Sequence, residues 1–130
     1  MPEMQMNTTT IGSVGEYAII SDLLLQGVEV FKTCSDTENT DLVCYHNGTF
    51  KRMQIKTVTK LKTKSSVEIK MHKHIKNADH IDYLGVYLTE DKICAYVPYN
   101  GEGSIMLALR RAKNCQNKKR KWFYEYMEYV

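Results

Sequence analysis

The sequence predicts an α/β fold built on a mixed β-sheet, and three observations carry that prediction. A long apolar helix opens the chain, about six β-branched or aromatic runs follow it, and further helix-forming residues come only near the end. Because helices do not alternate with the strands, a doubly wound parallel sheet is disfavoured. At 130 residues the chain has the length of one compact domain, residues 1–130. Its 43% apolar and 25% charged composition, with two prolines and seven glycines, excludes disordered and collagenous proteins.

The elements follow in order. The segment TTTIGSVGEYAIISDLLLQG has threonines able to cap a helix, apolar Ile11, Val14, Ala18 and Leu25 at helical spacing, and a stop at Gly27. VEVFKT (28–33) reads as a strand, CSDTENT as a turn-rich loop, and DLVCYH (41–46) as a second strand. Asn47-Gly48 favours a tight hairpin into TFKRMQIKTVTK. In that third strand Met53 and Ile55 point one way, while Arg52, Gln54 and Lys56 point the other. KLKTKSS reads as a loop and SVEIKM (66–71) as a fourth strand. IDYLGVYLT and ICAYVPY flank a short Glu90-Asp91-Lys92 turn, a second hairpin. SIMLALRRAK (104–113) has helical propensity with Ser104 as its N-cap, and the aromatic WFYEYMEYV needs a surface to bury it.

No apolar run approaches the ~20 residues of a membrane-spanning helix, and MPEMQMNTTT lacks the basic start and apolar stretch of a secretory signal. The expectation is a soluble cytoplasmic protein with no membrane partner. Cys34, Cys44, Cys94 and Cys115 form no CxxC pair, so they read as reduced, small hydrophobic residues.

A net charge of +3 conceals strong segregation. Residues 51–76 hold nine Lys/Arg against the single acid Glu68, and residues 110–121 hold seven against none. Such a basic face suits a polyanion, whose counterions it displaces, as well as it suits a plain solvated surface. Lys51, Arg52, Lys60, Lys62 and Lys64 from the first segment, with Lys118, Lys119 and Arg120 from the second, are the candidate nucleic-acid contacts.

If the hairpin turns on Asn47-Gly48, residues whose numbers sum to about 95 lie opposite each other, which puts Asp41 near Gln54. A carboxylate, an amide oxygen and the Lys56 ammonium then share one end of the hairpin, and Glu16 reaches them if the first helix crosses the sheet. Oxygen donors of this kind suit Mg²⁺, and the lysine suits a reaction that develops negative charge, such as phosphodiester hydrolysis. The plainer alternative is a polar, exposed strand face. Glu68-Ile69-Lys70 competes as a literal E-x-K, and Asp36 competes with Asp41 from a loop. His72, His74 and His80 lack zinc-site spacing and read as phosphate contacts or surface. Tyr83, Tyr87, Tyr96 and Tyr99 read as core rather than base-stacking platforms.

The order G-x-x-G-E in the first helix, Asp at a strand start and Q-I-K-T in the paired strand resembles the PD-(D/E)XK nuclease superfamily. The likeness is strongest to its group I intron-encoded homing endonucleases and more distant to archaeal Holliday-junction resolvases, over roughly residues 12–100. The resemblance implies a restriction-endonuclease-like mixed sheet flanked by helices, and an endodeoxyribonuclease of double-stranded or branched DNA using Mg²⁺, or Mn²⁺ in its place. It implies Asp41 as the central metal-binding acid, Gln54 at the (D/E) position, Lys56 as the catalytic lysine and Glu16 as the helix-borne acid. It also points to a prokaryotic or phage setting. One such site cuts one strand, so a homo-oligomer, dimer or tetramer, is expected. Junction-resolving, restriction-type and non-catalytic DNA-binding readings remain as alternatives.

Overall fold

The computed structural model describes residues 6–34, 40–59, 65–71, 81–109 and 121–130. Helix α1 (Thr8–Leu25) leads into β1 (Glu29–Lys32), β2 (Leu42–His46) and β3 (Thr49–Val58). β4 (Ser66–Lys70), β5 (Tyr83–Leu88), β6 (Ile93–Pro98) and β7 (Ser104–Ala108) follow, and a short 3₁₀ turn (Phe123–Tyr126) comes last. The five-stranded sheet has the order β1-β2-β3-β5-β6, and β4 pairs with β7 in a separate two-stranded sheet. Among the described strands β3 runs parallel to β5 and the other strand pairs are antiparallel, so the sheet is mixed as the sequence predicts.

Strand alternation assigns the two faces. On one face, Ile19 and Leu23 of α1 pack with Leu42, Cys44, Met53, Cys94 and Tyr96, closed by Tyr129. On the other face, Leu84, Val86, Leu88, Ala95 and Val97 pack with Val67 and Ile69 of β4, Ile105 and Leu107 of β7, and Phe123. The aromatic C-terminus thus serves both cores, with Phe123 in one and Tyr129 in the other. Tyr124 between them stays 58% exposed. Tyr96 and Tyr99 are buried, and Tyr83 and Tyr87 pack at the margin of the core.

Three sequence expectations are corrected. Asn7, rather than a threonine, caps α1, its side chain accepting from Thr10 N–H at 2.8 Å. The buried stripe of α1 is Gly15, Ile19 and Leu23, whereas Leu25 is 85% exposed. This helix is apolar on nearly every side, so spacing alone picks no unique face. Residues 104–108 form a strand rather than the start of a helix. Their helix-forming Leu, Met and Ala yield to tertiary context, because alternation lets Ile105 and Leu107 enter the core beside β4. Ser104 is accordingly no N-cap, and residues 110–113 lie outside the described residues.

The Asn47-Gly48 turn has φ of +51° and +79°, the mirror-image turn that Asn-Gly favours. Cys44 and Cys94 are buried as small hydrophobic residues, Cys34 is exposed, and Cys115 lies outside the described residues. Among the described residues, no helix is long and apolar enough to cross a membrane.

Gly15 is where α1 touches β3, and a Cβ there would overlap the Oγ1 and Cβ of Thr57. Because Thr57 Cβ is fixed to the strand, Gly15→Ala should destabilise the fold by about 1–3 kcal/mol in urea unfolding. Burial pushes the Cys44 thiol up from 9.0 to about 11, and burial with the Asp22 charge pushes Cys94 up to about 12. Between about pH 9 and those values the folded chain keeps protons that the unfolded chain has lost, so stability falls by about 1.4 kcal/mol per pH unit for each thiol. The urea midpoint should therefore drop from pH 9 to 11, and a Cys44→Ala/Cys94→Ala variant should show a shallower drop.

Candidate active site

The hairpin register is the one that the turn implies. From Leu42↔Met53 to His46↔Thr49, paired residue numbers sum to 95. Asp41 lies one step beyond the last pair and is tied to β3 twice, its N–H donating to Met53 O at 2.9 Å and its Oδ2 accepting from Ile55 N–H at 2.8 Å. This side-chain bond continues the ladder past the strand end and fixes the carboxylate beside Gln54. Lys56 follows two residues along β3, on the same face as Gln54 by alternation.

Helix α1 completes the site. Its close crossing at Gly15 and Thr57 brings the first turns of the helix over the end of β3. Glu16, Asp41, Gln54 and Lys56 all line one cleft of about 350 Å³, together with Thr8, Gly12, Ser13 and Thr57. All four site residues expected from the sequence are therefore gathered at one place. Gln54 Oε1 is buried and has no hydrogen-bond partner among the described residues. A buried carbonyl oxygen without a partner is costly, and here it borders a cleft that also carries two carboxylates.

That donor set is all oxygen, which fits a hard divalent cation held by one or two carboxylates with water completing its shell. Among the described residues, no three His, Cys, Asp or Glu side chains cluster as a metal site, and the cleft offers two carboxylates and one amide instead.

Lys32 was not among the sequence candidates. At the end of β1, its Nζ lies 3.1 Å from Glu16 Oε1 and 4.9 Å from the centroid of the Tyr17 ring. Hydrogen bonding to the Glu16 carboxylate, then its charge, raises the Lys32 pKa above the ordinary lysine value. One trace of it was legible, since Lys32 is the only lysine or arginine before residue 51.

The remaining candidates separate. Glu68 and Lys70 are exposed on β4, in the other sheet, with no part in the cleft. Arg52 is engaged by Asp82, whose Oδ2 accepts from Arg52 N–H at 2.8 Å and lies 3.4 Å from its Nε. Lys51 is half-buried on β3, on the opposite face from Gln54. Lys60, Lys62, Lys64, Lys118, Lys119 and Arg120 lie outside the described residues, as do Asp36, His72, His74 and His80.

A family model described as PD-(D/E)XK endonuclease matches residues 6–129. The chain belongs to that family. Its fold resembles a bacterial homing endonuclease, I-Ssp6803I, with a TM-score of 0.67 and 22% identity over 95% of this chain and 88% of the other. It also resembles Hjc, a Holliday junction resolvase from the archaeal hyperthermophile Archaeoglobus fulgidus, with a TM-score of 0.52 and 12% identity over 80% of this chain and 94% of that one. No curated protein matches the sequence. PD-(D/E)XK nucleases generally use divalent metal ions, and the cleft of this family member offers the oxygen donors such an ion takes.

Because the Gln54 oxygen is buried without a partner among the described residues, removing it forfeits no bond there and relieves a desolvation cost. Gln54→Leu should therefore leave stability in EDTA within about 1 kcal/mol of the parent, or raise it. Urea unfolding checks this, and a loss above about 2 kcal/mol would show that the oxygen is bonded after all.

Proposed function

We propose that the chain is a Mg²⁺-dependent endonuclease that hydrolyses phosphodiester bonds of double-stranded DNA in the manner of a homing endonuclease. The observation that carries this reading is the cleft shared by Asp41, Gln54, Lys56 and Glu16, with a buried Gln54 oxygen at its wall that has no partner among the described residues. Asp41 and Gln54 would hold the ion from the hairpin, and Glu16 would complete the set from the helix. When bound, the ion supplies Lewis-acid polarisation of the phosphodiester and acidifies water for attack. Mn²⁺, with the same preference for oxygen, would serve in its place.

The protein's own residues do the rest. The two backbone ties hold Asp41 at a fixed angle, so little reorganisation is needed as charge develops. The Lys56 ammonium, two residues beyond Gln54, stabilises negative charge building on the phosphoryl group or orients the attacking water. The two lysine- and arginine-rich segments, 51–76 and 110–121, supply the sequence-independent attraction to the DNA backbone. Cutting both strands at one place then takes a second copy of the chain, in a symmetric homo-oligomer.

The deciding experiment incubates the protein with linear duplexes and a four-way junction, in Mg²⁺ and in EDTA. Cleavage of duplexes that EDTA abolishes supports the proposal, preference for the junction moves it toward the resolvases, and DNA binding without cleavage overturns catalysis. Asp41→Ala should abolish cleavage and preserve binding. Lys56→Met should slow single-turnover cleavage by roughly a hundredfold or more, while Lys70→Met on the other sheet does far less.

A further inference from the structure

The charges around the cleft balance in an unusual way. Its lining holds two carboxylates, Asp41 and Glu16, against one ammonium, Lys56. Gln54 adds a donor without charge. Lys32, itself outside the lining, then brings a second ammonium to 3.1 Å from Glu16 Oε1. Among the described residues the formal charges of these four groups sum to zero, so each ammonium offsets part of the attraction that the two carboxylates exert on a divalent cation.

Lys32 is exposed, with about half of its side chain open to solvent, and it meets two neighbours on α1. It emerges from the last residue of β1, whose backbone partner is Leu42, next to Asp41. Its ammonium engages two consecutive residues of α1, the carboxylate of Glu16 and the ring of Tyr17. The pair is therefore a strand-to-helix tie directly behind the one acid that α1 contributes to the cleft.

We infer that Lys32 is a positioning residue that acts as a counter-ion on Glu16, so that a divalent ion entering the cleft must compete with this ion pair. The inference rests on the reading of the cleft as a metal site and assigns a regulator of its occupancy. Lys32 contributes one Glu16 oxygen's worth of competition and one positive charge, and both oppose the incoming ion. Removing the ammonium should tighten binding of the metal alone, even though it loosens a contact of the apo fold.

The test is titration of the DNA-free protein with Mn²⁺, following free ion by electron paramagnetic resonance. Lys32→Met should lower the dissociation constant about tenfold, the scale of one unit charge acting on a divalent ion across a few ångströms of a solvated cleft. Lys32→Arg, which keeps the charge, should retain the wild-type value. In a Glu16→Gln background the Lys32→Met effect should shrink below about threefold, because the competed ligand is gone. Unchanged or weaker Mn²⁺ binding in Lys32→Met overturns the inference, and so does an equal effect in the two backgrounds. Asp41→Ala distinguishes the underlying reading. If wild type and Asp41→Ala bind Mn²⁺ alike, the ion does not occupy this cleft and both conclusions fall.

Discussion

The pairing of β2 with β3 sets the position of almost everything else, because side chains on paired strands alternate faces and a slip of one residue would invert all of them. Leu42, Cys44 and Met53 turn toward α1 only in the register that sums to 95. In the same register Asp41 falls beside Gln54, and its carboxylate caps the backbone of β3 at Ile55. One register therefore builds the core under the helix and the cleft at the strand end. The left-handed Asn47 and Gly48 backbone pins that register from the far end of the hairpin.

The helix depends on this frame through a single close approach. Gly15 lets the α1 backbone settle against Thr57, and one residue later Glu16 stands at the cleft. Ile19, one helical turn on, reaches the centre of the sheet, where Gly85 leaves room for it and for the Met53 sulfur. Tyr129 closes the same face from the chain end, its N–H donating to Gln26 Oε1 at 2.7 Å, and this ties the C-terminus to the end of α1.

Much of this was legible from sequence, for identifiable reasons. The hairpin could be read because Asn-Gly fixes a two-residue turn and the polar-apolar alternation of β3 is unambiguous. Asp41, Gln54 and Lys56 inherit that clarity, since local pairing alone brings them together. Glu16 was legible as an acid in the middle of a largely apolar helix. The buried stripe of α1 was not, because a helix that is apolar all round does not declare which side faces the sheet. β7 was missed for the converse reason. Its residues prefer helix in isolation, and only β4, more than thirty positions earlier in the chain, makes a strand of them. Lys32 escaped because no local rule connects the end of β1 to the middle of α1.

The parallel pairing of β3 with β5 carries a consequence for how the molecule is made. Its partners stand thirty residues apart in the chain, as Met53↔Tyr83 and Val58↔Leu88 show, whereas the β2–β3 hairpin closes across two residues. Loop-closure entropy makes the short connection the cheaper one to form first, and the long one must wait for other contacts to reward it. Three of the four cleft residues sit on or beside that early hairpin, so the nascent chain can possess most of its chemistry before it possesses a complete sheet. Glu16 joins only when α1 docks. The last acid to arrive is then the one that reports the finished fold, and a chain with its helix undocked would have the cleft's lysine and aspartate in place without the acid opposite them.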